Sequence, residues 1–200
     1  MRNSRLAAAL AASLAAAVVA PSSFLVATFA AEPRAEASLA AAATLKHLVT
    51  LSDTVVDGTP EEAKAVWEDV PGIGKRIVTY TRVNVEQAAY GSPDKTIWVR
   101  TLGGVVGKIG QRVEGEAVLV PGERAVLFLK SSPEGHFRVV EMAQGHYPLV
   151  KEADVPRLQK SPHLAGVLRG NERAAHEVLV GKAVGEAFDL VRTERKAAGL

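Results

Sequence analysis

Hydrophobic and polar positions alternate most regularly over residues 76–87 (RIVTYTRVNVEQ). Ile77, Thr79, Thr81, Val83 and Val85 fall on one side of an extended chain, and Val78, Tyr80, Arg82 and Asn84 on the other. After a turn at 91–94 (GSPD) the period resumes over 95–102, with Ile97, Val99 and Thr101 continuing the apolar side and Trp98 and Arg100 the outer one. Residues 125–129 (AVLFL) are apolar on both sides, which predicts a central strand or one covered by a helix. Further strands are predicted over 53–59 with a bend at Gly58, over 111–120, over 136–143 and, shorter, over 145–150. Residues 59–62 (TPEE) also spell a helix start, but a strand resuming over 63–68 is the preferred reading.

Helical spacing marks both ends of this β region. Ala41, Ala42, Leu45, Leu48 and Val49 form one stripe that Ser38 can cap, and Val184, Ala187, Phe188 and Val191 form another near the C-terminus. Between 151 and 171 no period holds, and Pro156, Pro162 and Gly170 read as a surface excursion. Glycine recurs at 103, 104, 107, 110 and 115 inside a strand-like stretch, as it does where a backbone bulges or turns a corner. Five or six antiparallel strands with such short links close most easily into a small barrel.

The pattern before residue 38 is different. Arg2 and Arg5 precede an alanine- and leucine-rich run over 6–20 and a second apolar patch over 24–31, the layout of a secretory signal. Residues 1–37 are therefore expected to be a signal peptide cleaved near Ala31 or Ala37, with an uncleaved anchor as the alternative. The body would then lie outside the cytoplasm, secreted or periplasmic, with no membrane span after cleavage. It divides into a helix plus barrel over 38–150 and a loop with a closing helix over 151–200.

Composition narrows the chemistry. The 200 residues carry a net charge of +2, which falls to +1 without the leader, so nothing suggests a nucleic-acid partner. Cysteine is absent, which removes disulfides, thiolate metal sites and thiol nucleophiles. Residues 102–109 (LGGVVGKI) lack the first glycine and the final hydroxyl of a phosphate loop. His176 and Glu177 begin like a zinc-protease helix, but Val180 stands where the second histidine belongs. His136 and His146 could approach across strands, and Glu114 and Glu116 share one side of a predicted strand; solvated side chains account for both pairs. Trp67 and Phe188 are expected to be core or helix contacts. No catalytic, cofactor or metal residue is assigned.

Several segments carry a likeness: SDTVVDGT at 52–59, VWE at 66–68, IVTYTRV at 77–83, LGGVVGKIGQRVEGEA at 102–117, LFL at 127–129 and MAQG at 142–145. Together they resemble a family of uncharacterised exported bacterial proteins. The order of helix, strands and closing helix is also similar to the netrin-like, tissue-metalloprotease-inhibitor version of the OB fold. That resemblance implies a mainly β fold: a small antiparallel OB-like (netrin-like) barrel flanked by an N-terminal and a C-terminal helix. Those inhibitors reach a catalytic zinc with an N-terminal cysteine, which this chain lacks, so their chemistry is not implied.

The candidate ligand face is the outer row Tyr80, Arg82, Trp98 and Arg100, which come together if 76–87 pairs with 95–102. In OB-type barrels such a face binds oligonucleotides or oligosaccharides through stacking rings and basic groups. Packing within the sheet, or beneath the terminal helix, is the structural alternative. The expectation is an exported non-catalytic binding module for a protein partner such as an extracellular or envelope protease. An envelope glycan-binding protein or hydrolase using the same face is the alternative.

Overall fold

A computed structural model describes residues 40–200 apart from 153, 165 and 169; the expected leader at 1–37 lies outside the described residues. The described chain is mainly β, and none of its helices is long and apolar enough to cross a membrane. In order it runs β1 (Ala40–Ala41), α1 (Leu45–Leu51), β2 (Thr54–Val70), β3 (Gly74–Tyr90), β4 (Thr96–Leu102), β5 (Gly104–Val106), β6 (Ile109–Gln111), β7 (Ala125–Ser131) and β8 (Phe137–Val139). A 3-10 turn at Met142–Gly145 follows, then β9 (His146–Glu152), β10 (Val155–Leu158), β11 (Val167–Leu168), α2 (Ala175–Leu179) and α3 (Val184–Ala197).

Seven strands form one sheet in the order β10-β9-β7-β2-β3-β4-β8, while β1 pairs with β11 and β5 with β6. β2 and β3 are each 17 residues long and are joined through the 71–73 turn. Their ladder is interrupted at Val55/Val56, Asp57/Gly58 and Pro60/Glu62. Each irregularity adds twist and bends the strand. Pro60 lies just past Gly58, the last β2 residue paired with β7, so its missing N–H falls on an edge and the strand runs on. That removes the helix-start reading of 59–62.

The expected closed barrel does not form. β8 is only three residues long and meets β4 through two residue pairs, Val99 with Phe137 and Arg100 with Arg138, in parallel. It also pairs antiparallel with the end of β7. The sheet therefore curls until its margins touch at a short seam. Beyond that seam β2 and β3 project as a two-stranded ribbon, and β9 and β10 continue past β7. The parallel contact also corrects the expectation of a purely antiparallel set.

Other boundaries moved for local reasons. Thr44, not Ser38, caps α1, its Oγ1 accepting the His47 N–H at 3.1 Å. Ala41 belongs to β1 rather than to the helix. The glycine-rich stretch makes the β5–β6 hairpin, turning at Gly107 with φ of 62°. The expected strand over 111–120 shrinks to the last residue of β6, and that over 136–143 to β8. The excursion at 151–171 contains β10 and β11.

Two apolar clusters share β7. Val126 and Phe128 face the helices with Leu48, Val49, Val55, Tyr147, Leu179, Phe188 and Val191. Leu127 and Leu129 point into the curl with Val56, Val83, Ile97 and Val99. Five consecutive buried residues in β7 match its doubly apolar sequence. α3 packs on α1, on the far end of β3 and on β10. Arg192 anchors it by donating from Nε to the Ala89 carbonyl at 2.9 Å.

Candidate functional site: an aromatic and charged sheet face

The β3–β4 register sets Tyr80 directly opposite Arg100 and Arg82 opposite Trp98. Their neighbours in sequence, Thr81, Val83, Ile97, Val99 and Thr101, are buried on the other side of the same strands. All four predicted residues thus share one face. β2 adds Lys64 opposite Tyr80 and Glu62 opposite Arg82, and β8 adds Arg138 opposite Arg100.

Arg82 and Arg100 on this face are each paired with a carboxylate. Arg100 Nη2 donates to Glu68 Oε1 at 2.8 Å, and the Tyr80 hydroxyl donates to Glu68 Oε2 at 2.9 Å. The Arg100 side chain is only 9% exposed, so it serves as an internal brace rather than a free anion hook. Arg82 lies 3.3 Å from a carboxylate oxygen of both Glu61 and Glu62. The Arg100 guanidinium holds the Glu68 carboxyl below its usual range against the opposing pull of burial. Burial, then the Glu68 carboxylate, pushes the Tyr80 hydroxyl up.

His136 closes one side, its ring edge-on to Tyr80 with centroids 5.5 Å apart. Burial and then the Arg100 charge push its pKa down, which favours the neutral imidazole. Glu68, Tyr80, Arg100, Ser132, His136 and Arg138 border a groove of about 370 Å³. Trp98 stands apart from that groove and is 39% exposed. The terminal helix does not cover this face: Phe188 and Val191 are buried in the cluster with α1, and Arg195 stacks over Tyr90 at 4.1 Å.

The other sequence candidates separate. His146 is buried, with Nδ1 3.2 Å from Ser161 Oγ, whereas His136 packs edge-on to Tyr80. Glu114 is solvated as expected, 3.8 Å from Arg112. Glu116 is not: it is buried, and its carboxylate accepts the N–H of Leu102 at 3.2 Å and of Ala117 at 3.0 Å. Burial pushes its pKa up. Trp67, expected as a core or helix contact, is 41% exposed with Lys75 over its ring at 5.7 Å.

Sequence reasoning missed Glu68, His136 and Arg138 as members of the site. Glu68 was recoverable, because treating 63–68 as a hairpin partner of 76–87 through the 71–74 turn places it on the outer row. His136 and Arg138 depend on the parallel β4–β8 contact, which no local pattern announces. Among the described residues no group of three or more histidines and carboxylates is placed to hold a metal ion. No protein-family model matches the chain, and comparison with curated proteins finds no relative.

Proposed function

We propose that the chain is an exported, non-catalytic binding module that engages a protein partner, such as a secreted or envelope protease, through the face of Tyr80, Arg82, Trp98 and Arg100. The exposure of Trp98 beside Arg82 and Arg100, each already held by a carboxylate, carries the reading. A rigid aromatic group on a pre-ordered polar surface is the kind of anchor around which protein interfaces concentrate their energy. Arg2, Arg5 and the apolar run after them support export. An OB-like body is favoured by the cycle of pairings β2-β3-β4-β8-β7, with its single parallel step at β4–β8. The likeness to exported bacterial proteins and to netrin-like modules belongs to the same proposal.

The test places a photo-cross-linking side chain at exposed position 96, beside Trp98 on the same face of β4, and exposes the protein to its own extracytoplasmic fraction. A reproducible protein adduct, competed by unlabelled protein but not by Trp98→Ala, is expected. Absence of any such adduct overturns the reading. The groove beside Tyr80 and His136 favours one alternative, an envelope glycan ligand or substrate. Glycan binding or cleavage unaffected by Trp98→Ala and Tyr80→Phe removes that alternative.

A further inference from the structure

On the opposite side of β3 and β4, inside the curl, lies a second cavity of about 200 Å³. Its wall is a row of threonines, Thr79, Thr81 and Thr101, closed by Gln111 at the end of β6 and by Glu116 and Leu119 from the segment after the hairpin. The register explains the row, since Thr79 sits opposite Thr101 and Thr81 is two residues along the same face.

Thr81 is 1% exposed, and its hydroxyl oxygen has no hydrogen-bond partner among the described residues. A buried hydroxyl left without a partner is costly and calls for an occupant that supplies one. Thr79 already donates to the Gly103 carbonyl at 2.6 Å and keeps acceptor capacity. Gln111 Oε1 accepts the Ile77 N–H at 2.7 Å, which leaves its NH2 group as a donor. Each Glu116 oxygen accepts one backbone N–H and has a lone pair to spare.

We propose that this cavity binds a small uncharged molecule rich in hydroxyl groups, a polyol or a single sugar unit. An anion would meet the acceptor oxygens of Glu116, and a cation would have to shed its water beside Thr79, Thr81, Thr101 and Gln111, which carry no charge to offset the cost. Hydroxyl groups match a wall of mixed donors and acceptors, and the Leu119 side offers an apolar surface for C–H groups. A cavity of about 150 Å³ accommodates benzene, so this one takes a four-carbon polyol or most of a pentose ring. Exposed Arg112 and Val118 at its border leave a way in.

The experiment is a titration of the threonine-methyl-labelled protein with glycerol, erythritol, ribose and glucose, followed by NMR, with acetate and toluene as controls. Saturable shifts at Thr81 and Thr101 from at least one hydroxylated probe, at a Kd of about 1 mM or tighter, are expected. Thr81→Val, which keeps the side-chain shape, should weaken that probe about tenfold. Thr101→Val provides a second variant on the same wall. Trp98→Ala should leave these shifts unchanged, which separates this cavity from the outer face. Binding of toluene in place of the polyols, wild-type affinity in both threonine variants, or no saturable shift from any probe overturns the proposal.

Discussion

Glu68 on β2 and Arg100 on β4 meet across the intervening β3, with 2.8 Å between Oε1 and Nη2. The pair ties the base of the projecting ribbon to the curled part of the sheet, and Tyr80 on the strand between donates to the same carboxylate. Glu68→Gln strands a guanidinium that is almost fully covered, and should lower stability by about 2 kcal/mol at neutral pH in urea unfolding. The Glu68 pKa is depressed in the fold, so this contribution is present above its usual value of 4.5 and is lost as pH falls through the lowered value. The gap between wild type and Glu68→Gln should therefore narrow in acid.

Asp57 is fully buried on β2 and is held by Arg124 Nε at 2.7 Å, by a second Arg124 contact and by Gln87 Nε2 at 3.0 Å. Arg124→Met leaves a carboxylate without its counter-charge and should cost about 3 kcal/mol in the same assay. Combining it with Asp57→Leu should recover part of the loss, because the orphaned charge is gone.

Burial, with a smaller contribution from His163, lowers the His146 pKa from 6.5 to about 4. Ser161, Gln144, Lys160 and His176 are the other polar groups around it. A depressed histidine is neutral in the fold while the unfolded chain takes up a proton. Stability is then fully present above pH 6.5 and declines as pH drops toward 4, by a total on the order of 3 kcal/mol. His146→Gln should flatten that slope in melts between pH 7.5 and 4, whatever it does to stability at neutral pH.

Two glycines should respond oppositely to alanine. At Gly58 an added Cβ would lie 2.8 Å from the Asn84 carbonyl oxygen and 2.8 Å from Val83 Cγ1, so Gly58→Ala should cost about 2 kcal/mol. At Gly185, in the first turn of α3, nothing lies within 4 Å, and Gly185→Ala should gain about 0.5 kcal/mol. Thermal melts of the two variants check both signs.

Local periodicity disclosed most of the ladder. β3, β4 and β7 carry their alternation or their doubly apolar run openly, and α3 carries its stripe, so Tyr80, Arg82, Trp98 and Arg100 could be placed on one row before any coordinates. Long-range geometry was not disclosed in the same way. That β8 is three residues long and lies parallel to β4 depends on how far bulges at Val55, Asp57 and Pro60 twist the sheet. Nothing in the residues 137–139 encodes that distance. The alternation around Glu116 predicts a solvated side chain, but the backbone there leaves the sheet, and the period-two argument does not hold for it. Thr44 displaced Ser38 as the cap because both are good capping residues, and only the β1–β11 contact decides which one begins the helix.

β7 divides its side chains between the two apolar clusters, so neither cluster owns a complete wall. Loss of the helical layer would lay bare Val126 and Phe128, and opening of the curl would do the same to Leu127 and Leu129. Each half is thus a condition for the other. The folded body should come apart as one cooperative unit, with helix and strand signals disappearing at a common midpoint.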